Sequence, residues 1–225
     1  MLKMRINDNA LIIFAKQPLA GKVKTRLTAV LSPEEAAELY RCMLIDTLFK
    51  VKLLGGVDIY LFFEGDGDAA SYFASIADGM ETRPQRGNDL GERMMDAFQR
   101  TFERGYESVA IIGTDSPDLP VSFIEEAFLS LGDARLDAVF GPSEDGGYYL
   151  LALKRLHAEL FQGIGWSSQA VLRETVAAAE KVGMRTTMLS LWHDVDTVAD
   201  LRRADLLDIN NGAPLTRAFI MKSFP

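Results

Sequence analysis

Two sets of charged residues could do chemistry in this chain, and they have opposite sign. The first is cationic. Between Asn9 and Ser32 there is no acid, yet Lys16, Lys22, Lys24 and Arg26 all occur there, around Ala20-Gly21. A glycine-bearing loop of this kind can turn backbone N–H groups and ammonium heads toward a phosphate. It is not a Walker loop, because Lys16 stands where the first glycine belongs and Val23 follows Lys22 in place of Ser or Thr. No GxGxxG occurs either, so a dinucleotide site has no support. A plain solvated basic loop is the competing reading of the same residues.

The second set is acidic. Asp115 and Asp118 lie in Gly113-Thr114-Asp115-Ser116-Pro117-Asp118-Leu119-Pro120, Glu144 and Asp145 precede Gly146-Gly147, and Asp194-Val195-Asp196-Thr197 comes late in the chain. Carboxylates facing phosphate-binding cations make sense with a divalent ion between them, since Mg²⁺ takes one or two carboxylates and fills its shell with phosphate oxygens and water. Asp145 is a candidate general base toward an acceptor hydroxyl, with Gly146 and Gly147 allowing close approach of backbone to a ligand. As turn formers and helix caps, Asp118, Asp194 and Asp196 read equally well, and so does Asp145 before its glycine pair. Trp166 before Ser167-Ser168 is either a core tryptophan beside a helix cap or a stacking platform for a sugar or base. His193, beside Asp194, is a structural histidine or a base.

These groups need elements to hold them. Apolar runs predict strands at 10–15, 57–63, 108–112, 136–140, 148–153 and 185–191, with a short extended piece at 80–84. Ser32-Pro33-Glu34-Glu35 predicts a helix start, and the pattern it opens runs to Gly55-Gly56. Further helices are predicted over 68–77, from Asp89 to about Gly105, and over 120–131, 167–182 and 196–207, while the tail from Asn210 is ambiguous. Strands alternating with helices imply one α/β domain with a mostly parallel sheet covered on both faces. Irregularity is expected between 141 and 165. In such a sheet Asp115, Asp145, Asp196 and the basic loop open on the same edge.

Composition narrows the function further. The 225 residues are 48% hydrophobic and 25% charged, as in an ordered globular protein. One cysteine (Cys42) and two histidines exclude structural zinc. A net charge of −8 argues against nucleic-acid binding. The longest apolar runs are far shorter than a membrane helix. Lys3 and Arg5 precede an apolar run that ends at Lys16 without a small-residue cleavage site, so a cytoplasmic protein with no membrane partner is expected.

Taken together, Phe14-Ala15-Lys16…Pro18…Ala20-Gly21…Lys24-Thr25-Arg26-Leu27, Asp89-Leu90-Gly91-Glu92-Arg93-Met94, the Gly113–Pro120 motif, Gly141-Pro142…Asp145-Gly146-Gly147-Tyr148-Tyr149-Leu150 and Asp194-Val195-Asp196-Thr197…Asp200-Leu201 resemble a bacterial family of GT-A-fold nucleotide-diphospho-sugar transferases, the glycosyltransferases of the arsenosugar-biosynthesis type. Sugar-phosphate, molybdopterin and phospholactate nucleotidyltransferases belong to the same wider group. The resemblance implies a three-layer α/β/α fold over 1–225, with a nucleotide-binding half at about 10–120 and an acceptor half at about 121–208. It implies phosphate and nucleotide contacts from Lys16, Gly21, Lys24 and Arg26, and base and ribose contacts from Gln85, Gly87, Asp89 and Gly91. Asp115 and Asp196 would hold Mg²⁺ or Mn²⁺, Asp115 and Asp145 would serve catalysis, and Asp118, Gly146, Gly147 and Trp166 would meet the substrate. Two departures stand out: Thr114-Asp115-Ser116 replaces the DxD triplet of glycosyltransferases, and the first loop lacks the Gly-Gly start of nucleotidyltransferases. The implied reaction is glycosyl transfer from a nucleotide sugar to a small-molecule acceptor. Nucleotidyl transfer from an NTP is the enzyme alternative, and a non-catalytic nucleotide-binding protein is the third.

Overall fold

The apolar runs pair into a single sheet. In the computed structural model, which describes residues 6–224, these are β1 (Asn9–Lys16), β2 (Val57–Glu64), β3 (Glu81–Pro84), β4 (Ser108–Ile112), β5 (Ala138–Pro142), β6 (Tyr148–Leu153) and β7 (Thr186–Met188). Lys3 and Arg5 lie outside the described residues. The strand order is β3-β2-β1-β4-β6-β5-β7. Every pair is parallel except those of β6, which runs antiparallel to both β4 and β5. The sequence dictates this exception: only the short turn 143–147 joins β5 to β6, too little chain for a crossover, so the strands must form a hairpin.

Helices connect the other strands and cover both faces. They are α1 (Pro33–Val51), α2 (Ala69–Ile76), α3 (Leu90–Phe102), α4 (Val121–Leu131), α5 (Val171–Lys181), α6 (Ala204–Leu207) and α7 (Pro214–Ser223). Alternate residues of β1 feed two cores. Leu11 and Ile13 pack with Leu44, Phe73 and Ile124 of α1, α2 and α4, while Ala10 and Ile12 pack with Met94, Phe98 and Ala179 of α3 and α5. This is the expected three-layer α/β/α arrangement. A reciprocal cap between Ser32 and Glu35 opens α1, and the Asp89 carboxylate caps α3 by accepting from Glu92 N at 2.8 Å. Among the described residues no helix is long and apolar enough to cross a membrane.

Four segments differ from the sequence reading. The strand expected over 185–191 is confined to Thr186–Met188, the residues of it that pair in register with β5. The helix expected from Ser167 begins at Val171, because Ser167 is left-handed (φ 67°) and the preceding loop wraps toward the sheet edge. The helix expected over 196–207 is broken. The Asp200 carboxylate accepts from Asp196 N (2.9 Å) and Thr197 N (2.6 Å), a short 3-10 turn follows at Asp200–Arg202, and Arg203 is extended before α6. The ambiguous tail folds as α7 against α1, where the buried Asp46 carboxylate accepts from Leu215 N, Thr216 N and the Thr216 hydroxyl.

Candidate active site

The carboxyl ends of β1, β2, β3 and β4, the β5–β6 turn and the segment after β7 all reach one edge of the sheet. A cleft of about 850 Å³ opens there. The first loop contributes Lys16, Lys24 and Arg26, the end of β3 contributes Gln85, and Asp89 stands at the mouth of α3. Opposite them stand Asp115, Asp145, Asp194 and Asp196.

Lys24 organises the middle. Its backbone is left-handed (φ 48°, ψ 37°) at the start of a 3-10 turn, a strained state for a residue with a Cβ. Its side chain is only 2% exposed, and the ammonium donates to Asp115 Oδ1 and, at 2.8 Å, to Asp196 Oδ1. Burial alone would lower the lysine's pKa, but the two carboxylates outweigh it and hold the ammonium charged well above its ordinary range. Burial likewise pushes the Asp196 carboxyl up, and Lys24 and Arg26 overcome that and hold it low. Arg26 remains 73% exposed, with Nη1 3.7 Å from Asp196 Oδ2. Beneath them the Tyr40 hydroxyl accepts from Lys16 N at 2.9 Å and shares a 2.7 Å hydrogen bond with Thr114 Oγ1, tying the end of β1 to the end of β4. Burial pushes that phenol up to about 12.

The second half of the site is built on two serines. Ser116 Oγ donates to Asp194 Oδ1 at 2.6 Å. Ser143 Oγ lies 2.5 Å from Asp145 Oδ1 and 3.1 Å from Asp194 Oδ2. Burial pushes the Asp194 carboxyl up to about 6; the Ser116 hydrogen bond and Lys24 oppose this, and the charges of Asp115 and Asp145 add to it. Asp145 Oδ1 also accepts from Gly147 N at 2.9 Å. One oxygen of this carboxylate is thus held by the turn. Gly146 locks the turn in place. At φ 89° a Cβ would collide with the Gln169 carbonyl, and the Gly146 carbonyl accepts from Leu172 N at 3.0 Å.

The sequence-predicted residues fall into two groups. Lys16, Lys24, Arg26, Gln85, Asp89, Asp115, Asp145, Gly147, Trp166 and Asp196 all line the cleft. Gly21, Gly87, Gly91 and Gly146 do not, although Gly91 and Gly146 pack against the cleft residues Trp166 and Gln169. At Gly91, for example, a Cβ would strike the Trp166 indole. Asp118 is a correction. Its side chain is 1% exposed and pairs at 3.0 Å with Arg203 Nη2, outside the cleft. Burial pushes its carboxyl up, against the opposing pull of Arg203 and Lys50. Lys50 beside it is lowered to about 8 by burial. Asp194, which the sequence leaves open between site acid and turn former, lines the cleft. Ser116 and Ser143, which carry no signal of their own in the sequence, are each within two positions of an acid of the site and hydrogen-bond to Asp194.

Two places could hold a metal. Asp115 and Asp196 present hard oxygen donors from different strand ends to one cation position, the donor chemistry that Mg²⁺ or Mn²⁺ requires. Away from the cleft, Asp118, His193 and Asp205 bring ligand-type atoms within 4.8 Å of one another. There the Arg203 guanidinium pairs with Asp118, as the Lys24 ammonium pairs with Asp115 and Asp196 in the cleft, so at either place a divalent ion would have to displace a cation.

Residues 47–168 match a family model described as an uncharacterized protein conserved in bacteria, DUF2064. The chain belongs to the DUF2064 family. No curated protein matches it. This DUF2064 chain is 32% identical to a proposed nucleotide-diphospho-sugar transferase from Desulfovibrio desulfuricans G20, with a TM-score of 0.85 over 97% of this chain and 99% of that one. It is similar in fold to a CMP:2-keto-3-deoxy-manno-octonic acid synthetase solved with CTP (TM-score 0.52, 12% identity, 86% of this chain and 95% of that one). A Mycobacterium tuberculosis H37Rv protein in complex with manganese is another fold neighbour (TM-score 0.53, 17% identity, 87% of this chain and 96% of that one). The DUF2064 chain therefore shares the α/β fold of nucleotide-diphospho-sugar transferases and nucleotidyltransferases.

Proposed function

We propose that this chain is a metal-dependent transferase that passes the glycosyl group of a nucleotide-diphospho-sugar to a small-molecule acceptor. The observation that carries the reading is the gathering of four carboxylates, Asp115, Asp145, Asp194 and Asp196, against Lys24 and Arg26 in one cleft at the carboxyl edge of the sheet. An acidic cleft floor facing cations suits a diphosphate only with a divalent ion present. Asp115 and Asp196 would hold that ion, which when bound supplies positive charge against the departing diphosphate. Lys16 and Arg26, at 60% and 73% exposure, are free to reach phosphate oxygens. In the first half of the chain, at about 10–120, Gln85 and Asp89 would flank the base and ribose. In the second, at about 121–208, Gly147 and Trp166 would flank the acceptor.

In the reaction the bond from the anomeric carbon to the diphosphate oxygen breaks and a bond from that carbon to the acceptor oxygen forms. The proton of the acceptor hydroxyl goes to the Asp145 carboxylate, which the Ser143–Gly147 turn holds by Oδ1. Membership of the arsenosugar-biosynthesis type that the motifs resemble, and a cytoplasmic setting, belong to the same proposal; the acceptor itself is not named by it. Likeness to a synthetase solved with CTP favours one alternative, nucleotidyl transfer from an NTP. There the attacking group is already ionised and Asp145 needs to take no proton.

The deciding experiment incubates purified protein and Mn²⁺ with a panel of nucleotide sugars, NTPs and candidate acceptors and identifies the products by mass spectrometry. Nucleoside diphosphate release is expected, with Asp145→Asn slowing transfer about 10²–10⁴-fold while nucleotide-sugar binding persists. Pyrophosphate release from an NTP with every nucleotide sugar untouched would overturn the glycosyl reading.

A further inference from the structure

The cation in the middle of the cleft is not placed to do what a phosphate-binding lysine does. Lys24 is as buried as a core residue, and its ammonium is spent on Asp115 and Asp196, the two carboxylates suited to a divalent ion. Its neighbours Lys16 and Arg26 show the contrast, since both extend into solvent. The left-handed backbone at Lys24 adds to the argument. An L-residue with a Cβ is held there at a cost, which the two charge-assisted hydrogen bonds of its side chain offset.

We propose that Lys24 is an exchangeable counter-ion, which bridges Asp115 and Asp196 in the free protein and is released toward the diphosphate when a divalent cation takes those carboxylates. This inference rests on the proposed nucleotide site. The physical reason for exchange is charge. An ammonium and a divalent ion cannot share two carboxylate oxygens without strong repulsion, whereas a diphosphate arriving with the metal brings the negative charge that the freed ammonium needs. Metal and diphosphate must then bind cooperatively, and by linkage each raises the affinity of the other by the same factor.

The test measures Mn²⁺ binding to the intact protein by electron paramagnetic resonance of free Mn²⁺, alone and with UDP, CDP, GDP or ADP in turn. Wild type is expected to bind Mn²⁺ at least tenfold more tightly with a diphosphate than without. Lys24→Met, with the ammonium gone, is expected to bind Mn²⁺ alone at least tenfold more tightly than wild type and to lose most of the coupling. Lys24→Gln serves as a second neutral variant, and circular dichroism checks that each variant folds. Equal Mn²⁺ affinity in wild type with and without a bound diphosphate overturns the exchange whether or not the variants fold. So does a folded neutral variant whose affinity for Mn²⁺ alone is unchanged or weaker. If none of the four diphosphates binds wild type under any condition, the nucleotide reading itself fails and takes the exchange with it.

Discussion

Asp115 and Asp118 stand three residues apart in one motif and live in different physical worlds. Asp115 is half exposed, opens into the cleft and shares one ammonium with Asp196. Asp118 is sealed at 1% exposure against Arg203, with its second oxygen unpartnered and Lys50 close by. Both are acids paired with a buried or largely buried cation, so pairing does not separate site from scaffold. The difference lies in the far side of the pair: open space beyond Asp115, packed chain beyond Asp118. The cleft acids face open space, whereas the Asp118 cluster holds the segment around Arg203, and through it the run containing Asp194 and Asp196, against the β4–α4 loop.

The largest expected effect breaks the comparison at its sealed end. Asp118→Ala leaves the largely buried Arg203 guanidinium with only the looser Asp205 contact, 3.8 Å from its Nε, and should cost about 3 kcal/mol of unfolding free energy in a denaturant titration. Asp115→Asn should leave that titration nearly unchanged and abolish metal-dependent nucleotide binding. Equal stability losses in the two variants would erase the distinction.

A smaller effect tests the exposed cations. Arg26→Ala removes a side chain that pairs only loosely with Asp196, so stability should barely move. Nucleotide-sugar affinity, read by calorimetry, should fall by about 1.5–3 kcal/mol. Unchanged affinity would return the first loop to a solvated basic run.

The smallest effect concerns pH. Asp194, pushed up to about 6 in the fold, holds its proton more tightly there than in the unfolded chain, where an aspartate sits near 4. Its stabilising contribution is therefore complete below about pH 4 and is lost as the pH rises through about 6. Relative to Asp194→Asn, wild type should lose on the order of 1–2 kcal/mol of stability between about pH 4 and pH 7. A pH-independent difference between the two would show that Asp194 is no more burdened by burial than an ordinary surface acid.

The strands, most of the helices and the two charge sets could be read from sequence because each rests on local signals. Apolar runs set the sheet, capping residues such as Ser32 and Asp89 set helix starts, and an acid-free basic loop after β1 in an acidic chain marks itself. Asp194 stayed undecided because Asp-x-Asp-Thr after a strand is also an ordinary turn. What raises it above that is two serines, one 51 and one 78 residues away. The break in the 196–207 helix escaped for a related reason: its apolar spacing is helical, and the Asp200 carboxylate overrules it by capping Asp196 and Thr197.

By itself, then, the sequence determined the α/β alternation, the sheet edge on which chemistry would sit, and the residue types gathered there. Only the tertiary structure decided which acids face the cleft and which are sealed. It also turned Lys24 inward onto Asp115 and Asp196, partners 91 and 172 residues away. Local pattern fixes what a residue can offer. Burial and long-range pairing fix what it can reach, because the energy of a charge depends on the dielectric and the counter-ion around it, and neither is written in its neighbours along the chain.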